Sequence, residues 1–369
     1  MKIALVGGKN VPSSGGIENY IQNLAIQLKT KGHEPWIICR GEKYKDVVMD
    51  GVRITHLECR ETQLSILMHN INASRFLIKE DNMVDVVNYQ SIYLPFFYEW
   101  IPKRRGMKVI HTQHSFAQDN PKHGMLSRLI IRIIYRFSAF VFSPILTVSE
   151  HNKELVRRRL KKEAEVINCG VNLPILHDVS DVQLPKGIKP GRFYLTIGRI
   201  DPVKNLDVLI LAFLKHPEDS DMQLVICGDV DNAYGKRLRE LARDDKRIIF
   251  YGPVFGDEKE LLLRSCLAYC LVSTSEGFPI ALLEAMSHGN ICICSDIPAN
   301  TETLPENCGL WCKVKDAESL YSAMKQLESN TKAYSNYGLC ARKKIEEALT
   351  WDKISDKYIK YIKVVVGNL

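Results

Sequence analysis

Two glutamates near the middle of the second half of the chain are the residues best suited to chemistry. Glu276 and Glu284 are separated by seven residues, where an apolar strand passes through a turn into a helix. Pro279 suits the first helical position, so the N–H groups of 277–280 should face outward from a helix N-terminus, where an anion is favoured. A carboxylate beside such a site suggests hydroxyl binding, and a glutamate in an apolar helix needs a partner. The alternative is that Glu276 caps the helix and Glu284 faces solvent.

Two other loops carry residue types that suit phosphate groups. Arg199 and Lys204 lie together between an apolar strand and a helix, and two fixed cations there suit a diphosphate. The alternative is a pair of solvated surface cations. Gly15 and Gly16 follow the first strand and let a ligand approach the backbone at a helix start. They do not form the G-x-G-x-x-G pattern of dinucleotide-binding proteins.

Short apolar strands alternate with helical patterns along most of the chain, starting with a strand at 2–7. This alternation predicts an α/β fold with parallel sheets covered on both faces, whose ligands bind at the carboxyl ends of the strands. A stretch rich in proline and glycine interrupts the pattern near residue 180 and predicts a linker. One helical pattern is expected over 332–349. The predicted parts are an N-terminal domain (1–175), a linker (176–191), a C-terminal domain (192–350) and a last helix (351–369).

The composition excludes several protein classes. Hydrophobic residues make up 46% and charged residues 25% of the 369 residues, which is close to a soluble globular protein and unlike a disordered, collagenous or coiled-coil chain. No apolar stretch reaches the length of about 20 residues that a membrane-spanning helix needs, and no secretory signal is apparent. The 11 cysteines include no C-x-x-C pair, which predicts free thiols in a reducing compartment and no zinc site.

Positive charge is concentrated in the first half of the chain. The formal net charge is +7, with +8 in residues 1–188 and −1 in the remainder, which suggests an anionic partner for the first half. Three arginines four residues apart share one face of an apolar helix, a pattern typical of the membrane interface. The alternative is a half-buried helix with a solvated edge. The basic residues assigned to the membrane or acceptor face of the protein are these three, Arg128, Arg132 and Arg136, together with Lys103, Arg104 and Arg105.

Taken together and in this order, the motifs resemble the retaining GT-B glycosyltransferases of family 4, which build bacterial polysaccharides, lipopolysaccharides and glycolipids. The most specific element is the pair Glu276 and Glu284, followed by Arg199 with Lys204 and by the glycines at 15–16. The resemblance extends over essentially the whole chain. It implies two doubly wound Rossmann-like domains that face each other across a cleft. It also implies a C-terminal helix that crosses back to the N-terminal domain.

The resemblance also implies a role for each matching residue. Glu284 would accept hydrogen bonds from the ribose, Arg199 and Lys204 would neutralise the diphosphate, and Glu276 would orient the donor sugar. His114 would lie near the transferred sugar or the acceptor, with His111 and His123 as rivals. The catalytic set is thus Glu276, Arg199, Lys204 and His114. The donor-binding set is Glu284, Gly15, Gly16, Gly277, Phe278, Pro279, Ile280 and Val254.

The implied reaction is retaining transfer of a sugar from a nucleotide sugar, with a UDP-sugar as the first choice, to a lipid-linked saccharide or polysaccharide precursor. The implied location is the cytoplasm, peripherally bound to an anionic membrane surface at the inner face of the cell membrane. No metal or other cofactor is expected, because cationic side chains serve the diphosphate, so Asp229-Val-Asp231 is not interpreted as a metal motif.

Three other interpretations remain. A nucleotide-sugar 2-epimerase would share the architecture but lack the spaced glutamates and the basic half. A nucleotide-sugar-binding partner subunit would have lost some of the four charged site residues. Nucleic-acid binding is favoured only by the sequence pI of about 8.7 and ranks last, because no aromatic residues alternate with the basic ones. Pro279 stands where many members of the family have glycine, which leaves the identity of the donor open.

Overall fold

The structure is a computed structural model and describes residues 1–12, 15–62, 64–116, 133–174 and 184–367. These residues form two compact units. The first contains the described residues up to Gly170 together with the helix that begins at Trp351. The second runs from Val171 to Thr350. Of the predicted linker 176–191, residues 176–183 lie outside the description and 184–191 belong to the second unit.

The first unit is built on an eight-stranded sheet in the order β3-β4-β2-β1-β5-β6-β7-β8. All neighbouring pairs are parallel except β3 and β4, which are antiparallel. The apolar strand β1 lies in the middle of the sheet and is buried along most of its length, as expected for a strand covered on both faces. The strands are β1 (Lys2–Lys9), β2 (Glu34–Gly41), β3 (Lys45–Met49), β4 (Val52–Glu58), β5 (Val86–Tyr89), β6 (Lys108–Gln113), β7 (Ile145–Thr147) and β8 (Glu165–Val166).

Helices cover this sheet, and the last helix of the chain is one of them. The C-terminal helix (Trp351–Gly367) packs on the helix that begins at Gly16, where the ring centroids of Trp351 and Tyr20 lie 5.6 Å apart. It also contacts the sheet, since Asn88 Nδ2 on β5 donates a 2.8 Å hydrogen bond to the Tyr358 hydroxyl. The C-terminal helix therefore belongs to the first unit. The other helices are α1 (Gly16–Thr30), α2 (Ser65–Leu77), α3 (Trp100–Lys103), residues 133–138, α4 (Glu150–Leu160), and the 3-10 turns Glu80–Asn82 and Pro95–Phe97.

The second unit has a six-stranded, fully parallel sheet in the order β11-β10-β9-β12-β13-β14. The chain reverses its direction of growth between β9 and β12, the position at which ligands bind in doubly wound sheets. The strands are β9 (Phe193–Ile197), β10 (Gln223–Cys227), β11 (Ile248–Phe250), β12 (Ala268–Leu271), β13 (Cys292–Ser295) and β14 (Leu310–Cys312).

Both faces of this sheet are covered by helices. The α-helices are α5 (Leu206–Phe213), α6 (Ala233–Ala242), α7 (Gly256–Ser265), α8 (Ile280–Ser287), α9 (Pro298–Thr303), α10 (Ala317–Ser329) and α11 (Ser335–Lys344). Shorter turns occupy Pro202–Lys204, Glu306–Cys308 and Thr331–Tyr334, and a π-helical turn occupies Ile345–Leu349. Continuous apolar strands such as β10 are buried at every residue and hold the loops at their carboxyl ends in fixed positions.

The segment expected to be helical over 332–349 is helical throughout, as a 3-10 turn, α11 and a π-helical turn in succession. Two other expectations from the sequence were wrong. The sheet of the first unit is not purely parallel, because the exposed, charged strand β3 forms a hairpin with β4. Cys308 and Cys340 form a disulfide with Cα atoms 5.4 Å apart, whereas the nine other cysteines are free. Packing of the Glu306–Cys308 turn near α11 joins cysteines 32 residues apart in sequence.

Candidate active site

The loops after β9 and β12 are joined by an ion pair between two predicted catalytic residues. Lys204 Nζ lies 2.7 Å from Glu276 Oε1, and both side chains are largely buried, with 19% and 13% of their surfaces exposed. A largely buried ion pair of this kind has a stronger charge–charge attraction than a surface salt bridge, because less water screens the two charges. The structure thus fixes the lysine cation and the glutamate carboxylate next to each other.

Hydrogen bonds to backbone groups hold these two loops together. The N–H of Thr274 donates to the carbonyl of Val203 at 2.8 Å, and the side-chain amide of Asn205 donates to the carbonyl of Val272 at 3.2 Å. The Asp201 side chain accepts from the Val203 N–H and caps the turn that carries Lys204. The lysine therefore stands on a rigid turn, which favours a fixed direction for its charge.

A shallow cleft lies between β9 and β12, at the topological switch point, and its open space including the mouth is about 270 Å³. Arg199, Lys204 and Ser273 are among its lining residues. Glycine is required at position 228, next to the lining residue Cys227, because a Cβ atom there would lie 2.1 Å from the Gly198 carbonyl oxygen. The Arg199 side chain is 75% exposed and its Nη1 lies 3.9 Å from the Asp201 carboxylate. Arg199 and Lys204 thus share one cleft, one exposed and the other held by Glu276.

Glu284 is paired with a lysine that the sequence analysis did not single out. Lys259 Nζ, on α7, lies 2.8 Å from Glu284 Oε1, on α8. One turn further on, His288 Nε2 lies 2.8 Å from Glu260 Oε2. Burial raises the pKa of Glu260, but His288 and Arg264 outweigh it and lower the pKa below the ordinary value. The ion pair with Lys259 sets the direction of the Glu284 carboxylate. The contact between Glu260 and His288 joins α7 to the end of α8. No spacing rule in the sequence predicts either contact.

The residues between the two glutamates form the start of α8. The helix begins at Ile280, and Pro279 occupies the cap with a ψ of 90°, so the expectation that Pro279 is the first helical residue was wrong by one position. Pro279 and Phe278 are buried, and Ile280 is half-buried. Gly277 is half-buried beside Glu276, and Val254 is buried before α7. The turn after Glu276 is consequently held in place by packing.

The predicted residues of the first unit lie at the carboxyl edge of its sheet. Gly15 and Gly16 form the cap and first residue of α1, and a Cβ atom on Gly16 would meet no atom within 4 Å. At Gly15 a Cβ atom would lie 2.0 Å from the Glu18 carboxylate. Glu18 Oε1 also accepts a 2.8 Å hydrogen bond from the Lys9 N–H. Glu18 thus holds the end of β1 to α1, and a side chain at position 15 would displace its carboxylate.

His114 is held next to this loop and is the only one of the three histidine candidates described there. His114 Nε2 lies 2.9 Å from Gln90 Oε1, and its ring contacts Tyr20 edge-on at 4.8 Å between centroids. Burial lowers the pKa of His114 to about 4, so its ring is neutral at pH 7. The rival His111 is fully buried against Glu99, and His123 lies outside the described residues.

The predicted basic face is only partly a set of exposed cations. Arg104, Arg105 and Arg136 are exposed, whereas Arg128 and Arg132 lie outside the described residues. Lys103 does not project freely: its Nζ lies 3.8 Å from the buried Glu99 carboxylate and 4.8 Å above the Trp100 ring. Burial lowers the pKa of Lys103, against the raising effect of Glu99. The assignment of Lys103 to the membrane or acceptor face stays a prediction, and the structure adds that a buried carboxylate lies beneath this lysine.

Several large apolar side chains are exposed beside these cations. Trp100 and Phe142 contact each other at 5.5 Å, and Lys162 Nζ lies 5.7 Å from the Phe142 ring. The N–H of Leu94 donates to Ser138 Oγ at 3.0 Å, which connects the loop before α3 to the helical residues 133–138. We call the exposed aromatic side chains of this surface, with the neighbouring basic residues Lys103, Arg104, Arg105, Arg136 and Lys162, the aromatic-basic patch. Its exposed aromatic members are Phe96, Phe97, Trp100, Phe137, Phe140 and Phe142.

Within the ranges that the structure describes, no helix is both long and apolar enough to cross a bilayer. The same residues contain no group of three or more histidine, cysteine, aspartate or glutamate side chains arranged to hold a metal ion.

Two Rossmann-like units, with a charged cleft at the strand-order reversal of the second, fit the GT-B glycosyltransferases. Residues 14–174 match the model of Glycosyltransferase Family 4, and residues 183–344 match that of Glycosyl transferases group 1. The chain belongs to the GT-B glycosyltransferases of family 4. The family and fold predicted from the motifs are thereby confirmed.

Individual relatives agree with this assignment. The chain is 27% identical to O-antigen chain mannosyltransferase C of Escherichia coli, over 76% of this chain and 75% of that protein. It is 25% identical to UDP-Gal:alpha-D-GlcNAc-diphosphoundecaprenol alpha-1,3-galactosyltransferase of the same species, over 98% of both chains. Its fold is similar to that of sucrose-phosphate synthase from Thermosynechococcus elongatus, with a TM-score of 0.81, 18% identity and full coverage of both chains.

Proposed function

We propose that this glycosyltransferase transfers a sugar from a nucleotide-sugar donor to a lipid-linked saccharide, with retention of the anomeric configuration and without a metal ion. The observation that carries the donor site is the pairing of both spaced glutamates with lysines at one sheet edge, Glu276 with Lys204 and Glu284 with Lys259. This arrangement supports the proposal, because it supplies hydroxyl acceptors and fixed positive charge, the groups that bind a nucleoside diphosphate sugar.

The chemistry follows from the positions of these charges. When the bond between the sugar and the diphosphate breaks, negative charge develops on the leaving oxygen, and Lys204 and Arg199 would stabilise it. The carboxylate of Glu276 would orient the sugar hydroxyls while holding Lys204 in place. Glu284 would accept hydrogen bonds from the ribose through the oxygen that Lys259 does not occupy. Protein cations thus perform the task that a divalent metal performs in other transferases.

The donor nucleotide is tested first by thermal shift with UDP, GDP, ADP, CMP and TDP, each with and without EDTA. A nucleotide at 100 times its dissociation constant stabilises the protein by about 2.7 kcal/mol. We expect UDP to raise the melting temperature in the presence of EDTA, and Glu284→Ala to abolish the shift. A shift with GDP instead would agree with the mannosyltransferase relative and change only the donor. No shift with any nucleotide would contradict the donor site and favour a partner subunit.

Ribose recognition gives a sharper prediction for Lys259. If Lys259 orients Glu284, Lys259→Gln should weaken binding of the nucleoside diphosphate about tenfold, because one charge-assisted hydrogen bond contributes about 1.5 kcal/mol. The loss should be much smaller for the 2′-deoxynucleotide, since Glu284 then has one hydroxyl fewer to bind. Calorimetric titration measures both affinities. Lys259→Arg should retain most of the affinity, and an equal loss for both nucleotides would contradict the role.

The proposed acceptor is a saccharide on a lipid diphosphate at the inner face of the cell membrane. The name of the galactosyltransferase relative specifies such an acceptor for that enzyme. In this chain the aromatic-basic patch supports peripheral binding, because aromatic rings flanked by cations are stable at an anionic bilayer interface. Arg136 and the exposed ring of Phe137 lie next to each other in its sequence. The first unit therefore supplies the proposed membrane surface.

Vesicle sedimentation tests this surface. We expect the protein to bind vesicles that contain phosphatidylglycerol, to bind pure phosphatidylcholine weakly, and to be released by high salt. Replacing Trp100 and Phe142 with serine should lower the partition coefficient at least about tenfold, since two rings lose apolar burial. Leu339→Ser, at an exposed leucine of the second unit, serves as the control. Equal binding to both vesicle types would contradict the proposal.

A further inference from the structure

A second pocket opens in the first unit, at the carboxyl ends of the parallel strands β1, β2 and β4. Its open space, including the mouth, is about 460 Å³. None of the residues predicted from the sequence lines it. Its polar lining residues are Lys9, Arg40, Glu42, Cys59, Glu61 and Ser65.

Arg40 is the most constrained of these residues. It is half-buried, and its Nε and Nη1 donate to the Gly8 carbonyl at 3.3 Å and to Ser65 Oγ at 3.1 Å. No described carboxylate lies within ion-pair distance of it, and no described group accepts from its Nη2. The buried His69 adds no second positive charge beside Arg40, since burial and then the charge of Arg40 lower its pKa to about 4. Arg40 thus presents unused donors to the pocket.

The rest of the lining balances this charge. Lys9 Nζ is paired with Glu61 Oε1 at 2.5 Å, and Glu42 is exposed at the rim. Two cations and two carboxylates give the pocket a formal charge of zero. A phosphate would therefore meet two carboxylates as well as two cations, and its net attraction would be small. A sugar fits better, because each hydroxyl donates to a carboxylate and accepts from a guanidinium or ammonium group.

The pocket is also connected to the predicted transfer site of the same unit. Gly8, which accepts from Arg40, follows Gly7, and a Cβ atom on Gly7 would lie 2.8 Å from Gln90 Cβ. Gln90 in turn holds His114. A molecule that occupies the pocket and extends along the carboxyl edge of the sheet would pass Gly8 and Gly7 and then reach His114.

We propose that this pocket binds a neutral sugar residue of the saccharide acceptor, with Arg40 as its main donor and Glu42 and Glu61 as acceptors. The proposal rests on the proposed function, because it identifies where the saccharide of that acceptor is recognised. It assigns the pocket to the acceptor's sugar hydroxyls and not to its diphosphate.

Cys59 provides a readout inside the pocket that does not depend on activity. Its thiol is free, half-buried and part of the lining, and burial raises its pKa, so alkylation by iodoacetamide is followed at mildly alkaline pH. Mass spectrometry of the peptide containing Cys59 gives the rate. The probes are methyl α-glycosides of mannose, galactose, glucose and N-acetylglucosamine, with phosphate and pyrophosphate as the anion comparison.

We expect at least one glycoside, at twice its dissociation constant, to slow Cys59 alkylation about threefold. Arg40→Gln should abolish the protection, whereas Arg75→Gln, at an exposed arginine on α2, should retain it. Rates are compared with the unliganded rate of each variant. If Arg40→Gln does not fold, Glu61→Gln takes its place. Protection by phosphate alone, or by no glycoside, would overturn the proposal.

The two proposals fail in different ways. Protection of Cys59 by a glycoside without any nucleotide thermal shift would retain the sugar pocket and contradict the transferase donor site. A nucleotide shift without protection by any glycoside would retain the donor site and contradict this pocket.

Discussion

Replacing Lys204 with glutamine is expected to lower kcat for the nucleotide-sugar donor by about a hundredfold to a thousandfold. This is the usual loss when one preorganised group that stabilises developing negative charge is removed. Glutamine is similar in length but neutral, and the ion pair of 2.7 Å with Glu276 would be lost with the charge. The effect should appear mainly in kcat, because the charge on the leaving group is greatest in the transition state.

The measurement is steady-state release of the nucleoside diphosphate from the nucleotide sugar identified by thermal shift. Lys215→Gln is the matched control, since Lys215 also pairs with a glutamate of the second unit, Glu318, but at the surface. Glu276→Gln and the double variant complete a mutant cycle. Residues that act as a unit give losses that do not add. A kcat for Lys204→Gln within about threefold of wild type would contradict the assigned role.

The sequence was sufficient for the family and for the positions of the charged site residues, because these depend on local patterns. An apolar run followed by glycine and a helical pattern indicates a strand whose carboxyl end carries a loop. That rule places Arg199 and Lys204 after β9, and Glu276 after β12. It also predicts that both loops meet at one edge once the strands are parallel neighbours, which they are.

The partners of these residues could not be predicted in the same way. Lys259 lies 25 residues before Glu284, and Lys204 lies 72 residues before Glu276. Such pairs depend on how helices and loops pack in three dimensions, and charged residues on a helix otherwise face solvent. The strand β3 was missed for a related reason: its apolar run, Val47 to Met49, is only three residues long and follows two charged residues, unlike the longer apolar runs of the inner strands.

Lys103 illustrates the same limit for charge patterns. Three consecutive basic residues at 103–105 indicate a solvated cationic surface, yet one of them points toward a buried carboxylate. Sequence spacing gives the helical face but not what lies beneath it. Glu99 directly precedes α3 and has no exposed surface, so only the structure shows that it organises the base of the aromatic-basic patch.

Glu99 connects four groups of the first unit through its two carboxylate oxygens. Oε1 accepts from the Phe142 N–H at 3.0 Å, and Oε2 accepts from Ser143 Oγ at 2.8 Å. His111 Nε2 lies 3.4 Å and Lys103 Nζ 3.8 Å from Oε2. A buried carboxylate is stable only with such partners. Glu99 therefore fixes the segment that carries Phe142 to the sheet and to α3.

Glu99→Gln is accordingly expected to lower the free energy of unfolding by about 3 kcal/mol at pH 7, as in other buried pairs that lose one charged partner. The amide keeps the volume but turns an N–H donor toward Ser143 Oγ or Lys103. Urea unfolding at constant m-value measures the change, with the exposed Glu80→Gln as control. Loss of vesicle binding should accompany it, because the Phe142 segment is no longer held.

The pH dependence distinguishes lost charge from lost packing. Burial raises the pKa of Glu99, but His111, Ser143 and Lys103 outweigh it and hold the pKa below the ordinary value. A carboxylate with a depressed pKa stabilises the fold above its unfolded pKa of about 4.3, and this contribution disappears as the pH falls through the lower folded value. The difference between wild type and Glu99→Gln should therefore be complete at pH 7 and shrink below about pH 4. A difference independent of pH would indicate packing alone.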